Sequence, residues 1–184
     1  MGGYRARVQI RPASPDDWPA LWPIVKAIVD AGETYAWHPT PTAEQMKSLW
    51  FEPPPWQVIV AERDGEVVGT AKFGPNRPGR GAHVATASFM VSSDHQGLGI
   101  GRRLGEFVIA AARDAGYAGM QFNAVVDTNR GAVALWQSLG FEIIGTVPQA
   151  FEHPTQGRVA LHIMYRSLET EPGTAPGVRS SCEQ

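Results

Sequence analysis

The chain predicts a single domain of the α+β (mixed α/β) class. Three observations lead there. Segments that alternate apolar and polar residues are interleaved with segments of helical periodicity along the whole chain. Asp64-Gly65 separates two strand-like runs, which is a hairpin signal and calls for antiparallel pairing. Gly97, Gly99 and Gly101 stand between a strand-like run and a helix-like one.

Residues 4–11 alternate as a half-buried strand does. Ser14-Pro15-Asp16-Asp17 marks a helix start: a serine cap, a proline in the first turn, and acids at the positive end of the dipole. Trp18, Leu21, Trp22, Val25, Ile28 and Val29 recur at helical spacing, and Gly32 ends the run. Residues 33–41 form a proline-punctuated loop, and a short helix follows over 42–50. Pro53-Pro54-Pro55 breaks the chain before strands 57–63 and 66–73. A loop at 75–81 leads to a strand over 83–91. Leu104, Phe107, Val108 and Ala111 give residues 102–115 a helical stripe. A strand over 119–126, a helix over 129–139 stopped by Gly140, and strands over 141–147 and 159–166 complete the order β-α-α-β-β-β-α-β-α-β-β. Residues 1–168 make the domain; 169–184, poor in apolar residues, are expected to be a flexible tail.

Composition narrows the function. The 184 residues are 43% hydrophobic and 18% charged, as a soluble globular chain is, and can bury a substantial core. A net charge of −2 gives no reason to expect nucleic acid or an anionic membrane as a partner. No apolar run approaches the length of a membrane span or follows the N-terminus as a secretory signal does. The single cysteine, Cys182, allows neither an intrachain disulfide nor a cysteine-based metal site. A cytoplasmic protein with no metal is expected.

The segment from Phe89 to Leu104 runs strand, short loop, helix. Glycines let the backbone approach an anion, and the free N–H groups of a helix start point at it. Arg102 and Arg103 add positive charge, so the pattern calls for a phosphate or pyrophosphate. A dinucleotide fingerprint begun at Gly97 requires a third glycine where Arg102 stands, and the Gly-Lys-Ser/Thr of a P-loop is missing. A glycine turn without a ligand is the plain alternative.

Gln96-x-x-Gly99-x-Gly101 with Leu104, followed by Asn129-x-x-Ala132-x-x-Leu135-Trp136-x-x-x-Gly140-Phe141, resembles the paired signature of the GNAT N-acetyltransferases. The resemblance covers residues 4–168. It implies a mostly antiparallel, mixed sheet of six to seven strands, splayed between the fourth and fifth and flanked by about four helices. It also implies acetyl-CoA as cofactor, with the pantetheine arm along Phe89, Met90 and Val91. The pyrophosphate would rest on the backbone of Gln96, Gly97, Leu98, Gly99, Ile100 and Gly101, beside Arg102. Asn129, Ala132 and Trp136 would line the cofactor channel; for Asn129, a helix N-cap is the other reading. The backbone N–H of Val91 is the oxyanion donor the resemblance suggests, in a direct attack of a neutral amine on the thioester.

Two departures matter. The tyrosine that similar proteins often use as general acid is Trp136 here, whose indole N–H is a poor proton donor. The strand over 83–91 carries no carboxylate, which leaves His83 as a candidate base, against the reading of an exposed histidine at a strand start. Glu33 is a further candidate for contact with the amine.

Phe122-Asn123, then Thr128-Asn129 and Trp136-x-x-Leu139-Gly140-Phe141, is similar to fungal acetyltransferases acting on proline analogues such as azetidine-2-carboxylate. That likeness implies that Asn123 engages a small amino-acid acceptor; the alternative is a buried amide bonded to backbone. Glu33, Tyr35 and Trp37 lie where similar enzymes shape the acceptor pocket, although the aromatics could equally plug the space between the first two helices. Phe73, with Asn76 and Phe151, is placed on the same cleft. A small-molecule amine is the expected partner. A protein-directed acetyltransferase and a non-catalytic acyl-CoA-binding module are the alternatives. A homodimer is compatible with the resemblance.

Overall fold

A computed structural model describes residues 7–37 and 41–169. The elements are β1 (Val8–Pro12), α1 (Trp18–Ala31), α2 (Ala43–Trp50), β2 (Gln57–Arg63), β3 (Glu66–Pro75), β4 (Val84–Val91), α3 (Ile100–Asp114), β5 (Gly119–Val126), α4 (Arg130–Ser138), β6 (Glu142–His153) and β7 (Gly157–Ser167). The expected tail, apart from Glu169, and the expected strand start at residues 4–6 lie outside the described residues.

The seven strands form one sheet in the order β1-β2-β3-β4-β5-β7-β6. Every adjacent pair is antiparallel except β4 and β5, which run parallel. The β2–β3 hairpin turns at Asp64 (φ 53°) and Gly65 (φ 84°). Two successive positive φ values match the twist of the flanking strands, which is why Asp-Gly suits the turn. Thr42 caps α2 by accepting the Gln45 N–H at 3.2 Å, and Gly32 ends α1 in the left-handed conformation.

Helices cover both faces of the sheet, and side chains on each strand alternate between them. On one face Leu104, Val108 and Trp136 from α3 and α4 pack on Ala71, Phe73, Ala85, Met120 and Phe122. On the other face Leu21, Val25 and Val29 of α1 and Met46 and Trp50 of α2 pack on Val60 and Met90. Polar residues of β3 on this second face are satisfied. Thr70, fully buried, accepts from Trp50 Nε1 at 3.1 Å and donates to the Ile59 carbonyl at 2.8 Å. Lys72 pairs with Glu52 at 2.6 Å and lies 4.7 Å from the Trp56 ring centre. Helix α3 approaches α4 closely at Gly105, where a Cβ would fall 2.7 Å from Leu139 Cδ1.

The observed element order is the expected one, but β6 runs to His153 rather than ending at Val147. Pro148 and Gln149 (φ 53°) interrupt its pairing with β7, which resumes at Phe151↔Val159. The interruption is a bulge within a long hairpin arm, not a strand end.

Candidate active site

Strands β4 and β5 are paired at Val84↔Gly119 and Ala85↔Met120 and then separate. Two features hold them apart. Strand β5 bulges against β7 between Phe122↔Met164 and Val125↔His162, which turns Asn123 and Ala124 outward. Beneath the gap, Phe89, Phe122 and Trp136 form an aromatic wedge, with ring centres 4.6 Å apart for Phe89 and Trp136 and 4.9 Å for Phe122 and Trp136.

The separation leaves a row of backbone groups open. Asn76 N–H donates to Val84 O and Ser92 N–H to Val68 O, so even-numbered residues of β4 bond towards β3. By strand alternation the N–H and C=O groups of Ala87, Phe89 and Val91 then face the gap. The Tyr35 hydroxyl uses one such pair: it accepts from Phe89 N–H at 3.1 Å and donates to Phe89 O at 2.9 Å. Burial pushes the Tyr35 phenol well above its ordinary pKa, with the Phe89 bond opposing, so it stays protonated.

At the Val91 end of β4, the chain passes through Gly97 (φ 74°) and Gly99 (φ 78°) into α3. The first bond across this helix start is Arg103 N–H to Gly99 O. The N–H groups of Ile100, Gly101 and Arg102 therefore have no partner within the helix and open onto the same cleft. That cleft has a volume of about 1500 Å³ and runs from the glycine turn through the β4–β5 gap to the α1–α2 connection. Open strand-edge amides at one end and a cradle of helix-start amides at the other fit a long donor with a pyrophosphate and a peptide-like arm.

The cleft is lined by Phe89, Met90, Val91, Gln96, Gly97, Gly99, Ile100, Gly101, Arg102, Asn129, Ala132 and Trp136, and on the acceptor side by Glu33, Tyr35 and Asn123. Leu98 is half exposed beside it. For two of these residues both readings of the sequence hold together, and Arg102 has a further partner. Asn129 is the N-cap of α4, its Oδ1 accepting from Ala132 N–H at 3.1 Å, while also facing the cleft. Arg102 turns its guanidinium to Ser138 Oγ at 2.7 Å. Trp136 is both cleft lining and core, 7% exposed.

Asn123 is exposed rather than buried, and its amide bonds to side chains, not to backbone. Its Nδ2 donates to Asn76 Oδ1 at 2.6 Å, and its Oδ1 accepts from Gln121 Nε2 at 2.8 Å. Asn76 thus joins the site from the β3–β4 connection.

Three expected site residues do not reach the cleft. Phe73 is fully buried in the core on the α3 face, because alternation along β3 sends it to the side opposite the acceptor space. His83 is exposed just before β4, beside the paired end of the gap, where its carbonyl accepts from Ala118 N–H. Eight residues of extended chain separate it from Val91, about 25 Å. Phe151, weighed with them, is buried beside His153.

No helix among the described residues is long and apolar enough to cross a membrane. Among them no group of His, Cys, Asp and Glu is placed to hold a metal. Residues 19–141 match the model of the acetyltransferase (GNAT) family. The L-amino acid N-acyltransferase MnaT of Escherichia coli K12 is 35% identical over 144 residues, 76% of this chain and 81% of that protein. A GCN5-related N-acetyltransferase from Kribbella flavida is 53% identical, with a TM-score of 0.84 over 87% of this chain and 97% of that one. A putative acetyltransferase of Salmonella typhimurium, determined with its cofactor acetyl-CoA, is 27% identical, with a TM-score of 0.78 over 96% of this chain and 100% of that one. The chain belongs to the GNAT acetyltransferase family and is an acyl-CoA-dependent N-acetyltransferase with acetyl-CoA as its donor.

Proposed function

We propose that the chain acetylates the amine of a small amino or imino acid by direct attack of the neutral amine on the donor's thioester carbonyl, so that an N–C bond forms, the C–S bond breaks, and the CoA thiolate leaves and takes up, through water, the proton the nitrogen sheds. The observation that carries this reading is Asn123, a side-chain amide held at the gap by Asn76 and Gln121. The name of the relative MnaT, an L-amino acid N-acyltransferase, supports the same acceptor class.

Bound acetyl-CoA supplies an acyl group activated as a thioester. The chain's residues do the rest. Amides of the Gly97–Arg102 turn hold the pyrophosphate, and the Val91 edge of β4 holds the arm. The Val91 N–H donates to the carbonyl oxygen as charge builds on it. Asn123 orients the acceptor through its carboxylate or nitrogen, and Glu33, at the mouth, contacts the ammonium before it loses its proton. Tyr35 and Trp37, stacked 4.3 Å apart, wall the acceptor side. A cytoplasmic setting and a homodimer belong to the same reading. Edge strand β6 exposes Ile143, Ile144 and Val147, an apolar surface that a second copy would cover.

The test is thiol release from acetyl-CoA across amino acids, proline analogues and a lysine peptide, in wild type and Asn123→Ala. Loss of a hydrogen bond to a charged group costs about 1.5–3 kcal/mol, so acceptor kcat/KM should fall about 10- to 150-fold. Acetyl-CoA affinity should not change. Turnover with the peptide alone would overturn the acceptor class.

A further inference from the structure

The cleft has a direction. The pyrophosphate seat lies at the Val91 end of β4, so an extended arm leaving it runs along β4 towards Phe89 and Ala87. The acyl end, with its carbonyl at the Val91 N–H, therefore points along β4 towards Phe89. There the strand edge is already occupied: Tyr35 Oη bridges the Phe89 N–H and C=O.

We propose that Tyr35 is the residue that confines the transferred group to acetyl, its ring closing the deep end of the gap against longer acyl chains. The inference rests on the acyl-CoA reading of the cleft. Three contacts fix the ring. Both Phe89 bonds hold its hydroxyl, Trp37 stacks on it with an interplanar angle of 25°, and Trp37 in turn meets the buried Trp50 edge-on at 6.4 Å. Trp50 is pinned by its bond to Thr70. A longer acyl chain must displace the ring, and a hydrocarbon cannot replace the hydroxyl as partner of the Phe89 N–H and C=O. Those two backbone groups would be left unpaired, which the interior tolerates poorly. An acetyl group ends short of the phenol and leaves both bonds in place. The Val91 edge remains free for the donor.

Calorimetry with CoA, acetyl-CoA and butyryl-CoA tests this without any acceptor, and transfer rates with the two acyl donors provide the second readout. Wild type should bind butyryl-CoA about tenfold or more weakly than acetyl-CoA. In Tyr35→Leu, which keeps apolar packing but shortens the side chain, the ratio of the acetyl-CoA and butyryl-CoA affinities should fall towards one. Tyr35→Phe keeps the ring but loses its anchor, and its preference should fall by about threefold or more. An unchanged preference in the Leu variant, or in the Phe variant should the Leu variant not fold, overturns the proposal. Equal affinities in wild type overturn it as well. Failure of wild type to bind CoA at all has a different signature and removes the donor-site reading itself.

Discussion

Trp136 occupies the position at which similar proteins often carry a tyrosine, and its replacement by alanine separates a packing role from a chemical one. Its side chain is 7% exposed and meets Phe89, Phe122 and Phe141, with ring centres 4.6, 4.9 and 6.1 Å away. Truncating a buried aromatic of this kind costs about 3–5 kcal/mol, from lost burial and the cavity left behind. In a chain of this size each kcal/mol moves Tm by about 2–4 °C, so Trp136→Ala should melt about 6–20 °C lower. Trp136→Phe should lose well under half of that and retain turnover. The assay is thermal unfolding followed by circular dichroism, with acetyl-CoA affinity measured on the folded protein. A Tm for the Ala variant within about 2 °C of wild type would refute the packing argument. A folded Phe variant that binds acetyl-CoA normally but does not turn over would refute it differently, by giving the indole N–H a chemical task.

Thr70→Val removes the hydroxyl that joins Trp50 Nε1 to the Ile59 carbonyl and leaves the indole N–H unpaired. Denaturant unfolding should show a loss of about 1–3 kcal/mol. Gly99→Ala places a Cβ at φ 78° in the glycine turn. It should cost about 1–2 kcal/mol of stability and weaken acetyl-CoA binding on calorimetry, whereas unchanged affinity would move the pyrophosphate elsewhere. Hydrogen bonds from Arg11 hold the Asp17 carboxyl at about 2, below its ordinary 3.8, with burial opposing. The folded state therefore gains from ionised Asp17 above about pH 4 and loses that gain as pH falls through about 2. Arg11 is a third exposed, so solvent screening limits the gain to about 1 kcal/mol. The stability difference between wild type and Asp17→Asn should be constant near neutrality and vanish in that acid window.

Much of this was legible in residue order, because the signals were local. Asp64-Gly65 sets its hairpin through its own backbone preferences, and Gly32 and Thr42 mark helix ends through caps within a few residues. The glycine turn combines strand, positive-φ glycines and helix start in one stretch, so its ligand class could be argued without the rest of the chain. What escaped depends on partners distant in sequence. A shift of one position along a strand changes the face, and that decided Phe73. His83 fails on distance along β4, which spacing alone cannot convert into a place in the gap. Strand β6 continues past Pro148 because β7 is there to pair with it. The reach of Tyr35 to Phe89, 54 residues away, and the joining of Asn76 to Asn123 across 47 have no local signal at all.

The most direct measurement is mass spectrometry of purified protein incubated with acetyl-CoA and a panel of free amino and imino acids, with free CoA quantified in the same samples. A product heavier by one acetyl group on the acceptor nitrogen, formed in step with CoA release, is expected. An inert panel, with acetyl-CoA neither bound nor consumed, would contradict it.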